Sequence, residues 1–319
     1  MVTTEPDHAP GSPTSPARDA AVQRLLPGYP LPRHWRRVAD TGQHYLDLGA
    51  GDPVLFLHGN PSWSYAWRKL LGSLSPHARC LAPDLAGFGL SRPLTPAQRG
   101  QGFHQTQLDH LDALYRHLVE TAGVPGQGWT LVLHDWGGPL GIAWALRHPG
   151  VVARLVICNT LAFPWPAGYQ LPFYLRWIRD HQGVADAVHR TNAFARIAVH
   201  AGVHHPLHAR ERRAYLRPCA RRTERQVITD AVRAIPQNAA DPLWRLLEPP
   251  TPAADLAALP LLIGWGMRDP VFTPMVLQEW ARRFPHAVIH RFHDAGRFVM
   301  EDAADELSGH IRDFLQGSR

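Results

Sequence analysis

The sequence predicts an α/β protein, a mostly parallel central sheet with helices on both faces, and three observations carry that expectation. Short apolar runs alternate with helix-patterned segments over most of the chain, as strands joined by helical crossovers do. The stretch 131–141, LVLHDWGGPLG, runs an apolar strand straight into an aspartate, a tryptophan and two glycines, and then into the helix-forming IAWALRHP. Such a strand–turn–helix thrusts one side chain outward, while glycines let the helix pass close behind with its N-terminal N–H groups aimed at the same spot. The alternation breaks once, over roughly 161–248, where helical patterning reads as an insertion.

Taken in order, the start MVTTEPDHAPGSPTSPARDA is rich in Pro, Ser, Thr and acidic residues, and residues 1–30 are expected to form a disordered tail. Apolar runs at 44–48 and 53–58 predict strands; 64–73 reads as a helix with Ser62 as its cap. A strand at 79–83, a long amphipathic helix at 103–122 and the strand 129–134 follow, then a helix over 142–149 and a strand over 152–158. The Pro- and aromatic-rich AFPWPAGYQLPFYLRW opens the insertion and PPTPAAD closes it. Strand 259–265, helix 274–284, strand 287–292 and helix 303–315 complete the series. The core is thus expected over 31–160 and 250–319, with a helical lid over 161–249 covering the carboxyl ends of the strands, where open parallel sheets keep their sites.

At 319 residues and 45% hydrophobic, the chain can bury one large core. Its net charge of +6 comes almost wholly from arginines, densest at Arg210, Arg212, Arg213, Arg217, Arg221, Arg222 and Arg225. That run reads as a solvated helical face, and no nucleic-acid partner is expected. Cys80, Cys158 and Cys219 are widely spaced and odd in number, which suits buried thiols in a reducing compartment. Neither a metal-ligand spacing nor an apolar run of membrane-spanning length is present, and the first residues lack the pattern of a signal peptide. A cytoplasmic chain without metal or cofactor is expected.

Three motifs at strand ends carry the chemistry. Asp135 holds the exposed position of the turn after strand 129–134; a carboxylate there attacks carbon and leaves an ester on the protein. In His58-Gly59-Asn60-Pro61, Asn60 can aim both its amide and its backbone N–H at that carboxylate, and with the indole N–H of Trp136 would cradle a developing anion. Asn60 read alone simply completes a turn. Asp269, in GWGMRD, stands past a late strand where an orienting acid belongs, or else caps the helix starting near Pro274. His293-Asp294-Ala295-Gly296-Arg297-Phe298 follows the last strand, where a base belongs. The chain order is nucleophile, acid, base.

With HGNPSWSYAWR at 58–68, DLAGFGLS at 84–91, LVLHDWGGPLG and GMRD, the chain resembles the haloalkane dehalogenase group of α/β-hydrolases from about residue 30 onward. NTLAFPWP at 159–166, RTNAFAR at 190–196, YLRP at 215–218 and DAGRFVMEDAADE look more closely like the cis-β-lactone decarboxylases of bacterial olefin biosynthesis, a branch of that group. The resemblance implies the α/β-hydrolase fold with a lid inserted after the sixth strand, and a small hydrophobic substrate, β-lactone or haloalkane. It makes Asp135 the nucleophile, Asn60 and Trp136 the donors to the leaving halide or lactone oxygens, and Asp269 the orienting acid. At the alternative acid position the chain carries Asn159. Epoxide hydrolases share HDWG, but Asn60 favours an anionic leaving group over tyrosine-assisted ring opening, for which Tyr169, Tyr174 and Tyr215 would be the lid candidates.

One position departs from the family. Where it places the catalytic histidine, this chain has Arg297. A histidine takes a proton from water near neutral pH, whereas an arginine stays protonated and pairs with carboxylates. Arg297 is therefore expected within ion-pair reach of Asp135 or Asp269, and His293 is the one nearby substitute base. His134 is expected to pack at the strand end. Without a base, dehalogenation stalls at the ester, since its second step needs an activated water; decarboxylation of a β-lactone consumes no water. Three readings stay open: a β-lactone decarboxylase, a haloalkane dehalogenase halted after one turnover, and a ligand-binding homologue that has lost turnover.

Overall fold

Eight strands form one sheet: β1 (Trp35–Arg37), β2 (His44–Leu48), β3 (Pro53–Leu57), β4 (Arg79–Pro83), β5 (Trp129–His134), β6 (Val152–Cys158), β7 (Leu261–Gly266) and β8 (Val288–Phe292). The computed structural model describes residues 16–238, 240–247 and 254–317. The strand order is β1-β2-β4-β3-β5-β6-β7-β8. Strand β2 runs antiparallel to β1 and β4, and every pair from β4 to β8 is parallel. The central strands β3 and β5 are buried along their whole length, which is why PVLFL and WTLVLH read as unbroken apolar runs.

Period-two alternation divides the sheet's side chains between two cores. Leu55, Leu57, Leu131, Leu133 and Ile157 meet α4 (Phe103–Glu120) and α5 (Gly137–Arg147) on one face. Val54, Phe56, Val132, Val156 and Leu262 meet α2 (Arg68–Leu74) and the C-terminal helix Ala304–Gly317 on the other. Between β6 and β7 the chain makes a run of helices: α6 (Phe173–Asp180), α7 (Gln182–Thr191), α8 (Ala193–Ala201), α9 (Ala209–Leu216), α10 (Gln226–Arg233) and α11 (Pro242–Leu247). Leu171, Leu175, Val232 and Trp244 of this run extend the first core over the carboxyl ends of the strands. After α12 (Ala254–Ala257) come β7, α13 (Pro274–Arg283), β8, the one-turn α14 (Val299–Asp302) and α15 (Ala304–Gly317).

A buried charged cluster ties lid to core. Arg68 of α2 forms a fork with Glu301 of α14, reaches Glu211 of α9 at 2.7 Å, and lies over the Tyr65 ring at 4.2 Å. Tyr215 of α9 donates to the same Glu301 at 2.5 Å. Next to it, Asp302 accepts N–H groups from His204 and His205 of the lid and from Gly296 of the loop after β8.

Four expectations need correction. The tail is not disordered throughout to residue 30: Pro16–Leu25 is a helix, α1, in which Val22 is buried, and Leu26 and Tyr29 just past its end pack into the second core. Residues 1–15 and most of the proline-rich return at 249–255 lie outside the described residues. Strand β1 escaped the reading because WRR is short, half-buried and basic. Ser62 does not cap a helix: its hydroxyl donates to the Gly59 carbonyl, while buried Asp84 takes the Ser64 N–H at 2.7 Å at the start of the 3₁₀ turn Ser64–Trp67 preceding α2. The helix after β5 begins at Gly137 rather than 142, so it starts against the turn itself.

Candidate active site

Strand β5 delivers Asp135 onto a left-handed turn with φ of 53°, and α5 begins two residues later. Left-handed backbone is costly for a non-glycine residue and here concentrates at the position that must project. The surroundings fix it. Its backbone N–H donates to the Asn159 carbonyl at 3.2 Å, and its carbonyl accepts the Thr160 hydroxyl. Gly59 leaves room for the carboxylate, since a Cβ there would stand 2.0 Å from Asp135 Oδ1. Behind the turn Gly137 lies so close to strand β3 that a Cβ would meet the Leu57 carbonyl oxygen at 2.1 Å. The glycines of HDWGG and HGNP thus record close approaches from both sides.

The Asp135 carboxylate is buried, with the Asn60 N–H donating to Oδ1 at 2.6 Å. Its other oxygen, Oδ2, accepts from Arg297 Nη2. The same guanidinium reaches Asp269 Oδ1 at 3.7 Å through Nη1 and lies over the Phe272 ring at 4.7 Å. Burial works against its charge, but the two carboxylates overcome that and hold Arg297 above its ordinary pKa. It stays a cation and no base. The expected ion pair therefore forms, to both aspartates.

Asp269 is oriented by other groups. Oδ1 accepts the N–H groups of Val271 and Phe272 at 2.7 and 3.0 Å, and Oδ2 accepts the Asn159 amide at 3.1 Å. Burial nevertheless raises its pKa, with Arg297 acting in opposition. Helix α13 starts beyond it with Thr273 at its cap, so Asp269 closes the approach turn rather than capping that helix. Asn159 and Thr160 were passed over as site residues by sequence reasoning. Their signal was position alone, at the end of β6, the strand beside β5.

Two expectations fail here. The Asn60 amide does not face Asp135: Nδ2 donates to the Ile228 carbonyl of α10 at 3.0 Å, so of Asn60 only the backbone N–H serves that carboxylate. A carbonyl in the last helices of the lid outcompetes, a contact no local motif reveals. His293 is not a substitute base, because it is exposed and lies outside the cavity lining, its carbonyl accepting from Arg268 at the surface. His134 packs as expected. Nε2 donates to the Arg297 carbonyl at 3.0 Å, and burial pushes its pKa down to about 4.

Above the aspartate lies a pocket whose empty space, open solvent included, is about 520 Å³, lined by Asn60, Asp135, Trp136, Pro139 and Arg297 from the core and by Leu171, Leu175, Phe194, Val232 and Trp244, among others, from the lid. Its walls are apolar apart from the few polar groups at the floor, the arrangement of a small-molecule site. Trp136 stands in the wall with its ring against Phe103 and His104. Of the lid tyrosines, Tyr169 donates to the Val271 carbonyl and Tyr215 to Glu301. Among the described residues no cluster of His, Cys, Asp and Glu is gathered to hold a metal, and no helix is long and apolar enough to cross a membrane. Cys80, Cys158 and Cys219 are buried and unpaired, the first two with pKa values pushed up to about 12 by burial.

Comparison with known proteins places the fold. Residues 52–304 match the family described as alpha/beta hydrolase fold. Cis-3-alkyl-4-alkyloxetan-2-one decarboxylases of Xanthomonas campestris and Shewanella oneidensis are 38% and 36% identical to the chain, over 91% and 90% of its length and 98% and 89% of theirs. Haloalkane dehalogenase 2 of Mycobacterium bovis is 30% identical over 89% of the chain and 94% of its own length. Among solved structures, the haloalkane dehalogenase DbeA of Bradyrhizobium elkani superposes with a TM-score of 0.75 at 29% identity, covering 89% of this chain and 97% of that one. The chain belongs to the α/β-hydrolase family, in the group that unites these decarboxylases with the haloalkane dehalogenases.

Proposed function

We propose that the protein opens and decarboxylates a cis-3,4-dialkyl β-lactone, with Asp135 as nucleophile. The observation that carries this reading is an aspartate at the floor of an apolar cavity where, among the described residues, Arg297 is the only cation of the lining and no histidine takes part. That set of groups favours a reaction that consumes no water. One oxygen of Asp135 attacks ring carbon C4; the C4–O1 bond breaks and O1 leaves as part of a carboxylate on C3. The C2–C3 bond then breaks, its electron pair forms the C3=C4 double bond, and the C4–O ester bond returns its electrons to Asp135. C2 departs as carbon dioxide. Atoms and charge balance with no proton taken or given.

Arg297 acts in this scheme by exchanging partners. In the empty site it holds Oδ2 of Asp135 and blunts its nucleophilicity. As the ring opens, the guanidinium takes the carboxylate that forms, while the Asn60 N–H keeps Oδ1 in place. Asp269 keeps the arginine over the cavity floor.

The test pairs a cis-3,4-dialkyl β-lactone with a 1-bromoalkane. Alkene and carbon dioxide are expected from the lactone, lost in Asp135→Asn. The bromoalkane is expected to release one equivalent of bromide and leave an alkyl ester on Asp135, visible by intact mass. A second reading rests on the Arg297–Asp135 bridge itself, which closes the nucleophile: the chain binds its apolar ligand without turnover. Lactone that binds but yields no alkene, with alkene appearing in Arg297→His, establishes that reading and overturns the first.

A further inference from the structure

The positive charge of the chain is concentrated in the lid. Between 161 and 238 there are twelve arginines against five acidic residues, whereas the whole chain carries only +6. Arg176, Arg190, Arg196, Arg217, Arg221 and Arg222 are exposed. The segments carrying Arg176, Arg190 and Arg222 are joined through the fold: α6 packs on α7, and His189 near the end of α7 bonds the Arg222 carbonyl at 2.8 Å. A solvated face explains the arginines taken alone. It does not explain what lies among them.

Helix α6 turns large aromatics to solvent. Phe173 and Trp177, one turn apart and therefore on one side of the helix, are 71% and 55% exposed, with Tyr174 at 37% beside them. The opposite side of the same helix is apolar too: Leu175 and Ile178 are buried, and Leu175 lines the cavity above Asp135. Single exposed apolar residues are ordinary, but three aromatics grouped on eight residues make a patch that water disfavours. Arg176, exposed between them, carries a long stem and a charged head, whereas Arg179 is turned inward and forks onto Asp180.

We propose that the lid docks on an anionic phospholipid surface. Helix α6 lies in the plane of the interface, Phe173 and Trp177 enter the headgroup–acyl boundary, and the lid arginines pair with lipid phosphates. Basic charge supplies the long-range attraction and the aromatics the short-range insertion, the two signals that stable peripheral binding requires. The inner side of α6 closes the cavity, so docking sets the substrate chamber directly beneath the membrane contact. An apolar substrate dissolved in lipid would then enter past this helix without crossing water; that consequence alone rests on the β-lactone reading.

Sedimentation with vesicles tests the surface separately from the chemistry. The intact protein is expected to bind vesicles of equal parts phosphatidylglycerol and phosphatidylcholine, to bind phosphatidylcholine alone far more weakly, and to be released as salt rises to about 0.5 M. Phe173→Ser and Trp177→Ser, both at exposed positions, are expected to weaken vesicle binding about tenfold each with thermal unfolding unchanged. Binding to single-stranded RNA or to an acidic polypeptide as tight as to vesicles, and indifferent to the two serine variants, would make the lid a general polyanion surface and overturn the proposal. Absence of binding to the anionic vesicles overturns it outright, as does dimerisation of the free protein that the serine variants abolish. Turnover on a lactone, or its failure, changes none of these outcomes.

Discussion

Two arginines in this molecule each stand between two carboxylates, Arg68 buried and Arg297 partly so, and they are built differently. Arg68 forks onto Glu301, reaches Glu211 and donates to the Tyr65 carbonyl, and Glu301 in turn receives Tyr215 and Lys69. Burial opposes its charge, yet Glu301 and its neighbours raise its pKa well above the usual value. Arg297 makes one hydrogen bond to Asp135, stands off from Asp269 at 3.7 Å, and leaves its buried Nη1 without a hydrogen-bond partner. Its carboxylates have other supports, the Asn60 N–H for one and two backbone N–H groups with Asn159 for the other. The first arginine is required by its partners. The second is tolerated by them. A satisfied network fastens lid to core, whereas an under-satisfied one at the floor of a cavity can change partners, as a reacting site must.

The largest expected effect separates the two in reactivity. In Arg297→His, an imidazole beside Asp269 can take a proton from water, so the alkyl ester left by a bromoalkane should hydrolyse about 10²–10⁴-fold faster than in the parent chain. Bromide release would change from one equivalent to continuous turnover. An ester that persists in this variant would mean that residue 297 is not where a base can work, and the comparison would lose its functional half. In stability the order reverses. Arg68→Met strands Glu301 and Glu211 in the interior and is expected to lower the unfolding free energy by about 3–5 kcal/mol. Arg297→Leu should cost only about 1 kcal/mol, because the carboxylates keep their N–H donors. Urea denaturation of both variants measures this; equal losses would show the two arginines to be structurally equivalent.

The sequence shows one of these arginines and conceals the other. Arg297 is visible because DAGRF departs from the histidine that the resembled family carries there, and its pairing with an aspartate follows from charge. Arg68 ends HGNPSWSYAWR and its partners lie 143 and 233 residues away, so nothing local marked it as the hub of a buried cluster. The same distinction runs through the fold. Apolar runs disclosed the buried strands, and the glycines beside Asp135 stood where a Cβ collides with a neighbouring segment. The Asn60 amide was misdirected because the Ile228 carbonyl that claims it comes from α10, 168 residues on. Helix α1 escapes because it shows almost no apolar face, Val22 being its one buried residue over 19–25, and it follows a polar, proline-rich start. Local chemistry is legible in sequence; competition from distant segments is not.

The smallest expected effect is a difference of sign with pH. The Arg68 cluster holds Glu211 below its ordinary pKa: burial opposes this, and Arg68 with the His208 N–H outweighs it. A carboxylate depressed in the folded state contributes stability above its unfolded pKa, near 4.5, and loses it as pH falls through the lower folded value. Asp269 is raised by burial despite Arg297, so the folded state binds its proton more tightly than the unfolded chain does. Its contribution is most favourable at low pH and is lost as pH rises from 3.8 through the higher folded value. Unfolding of the parent, Glu211→Gln and Asp269→Asn between pH 3 and 6 resolves the two. Acidification should erode the parent's advantage over Glu211→Gln and improve its standing against Asp269→Asn. Slopes of the same sign would mean that Arg297 compensates Asp269 as completely as Arg68 does Glu211, and that the cavity floor is a structural bridge rather than a site held ready to exchange partners.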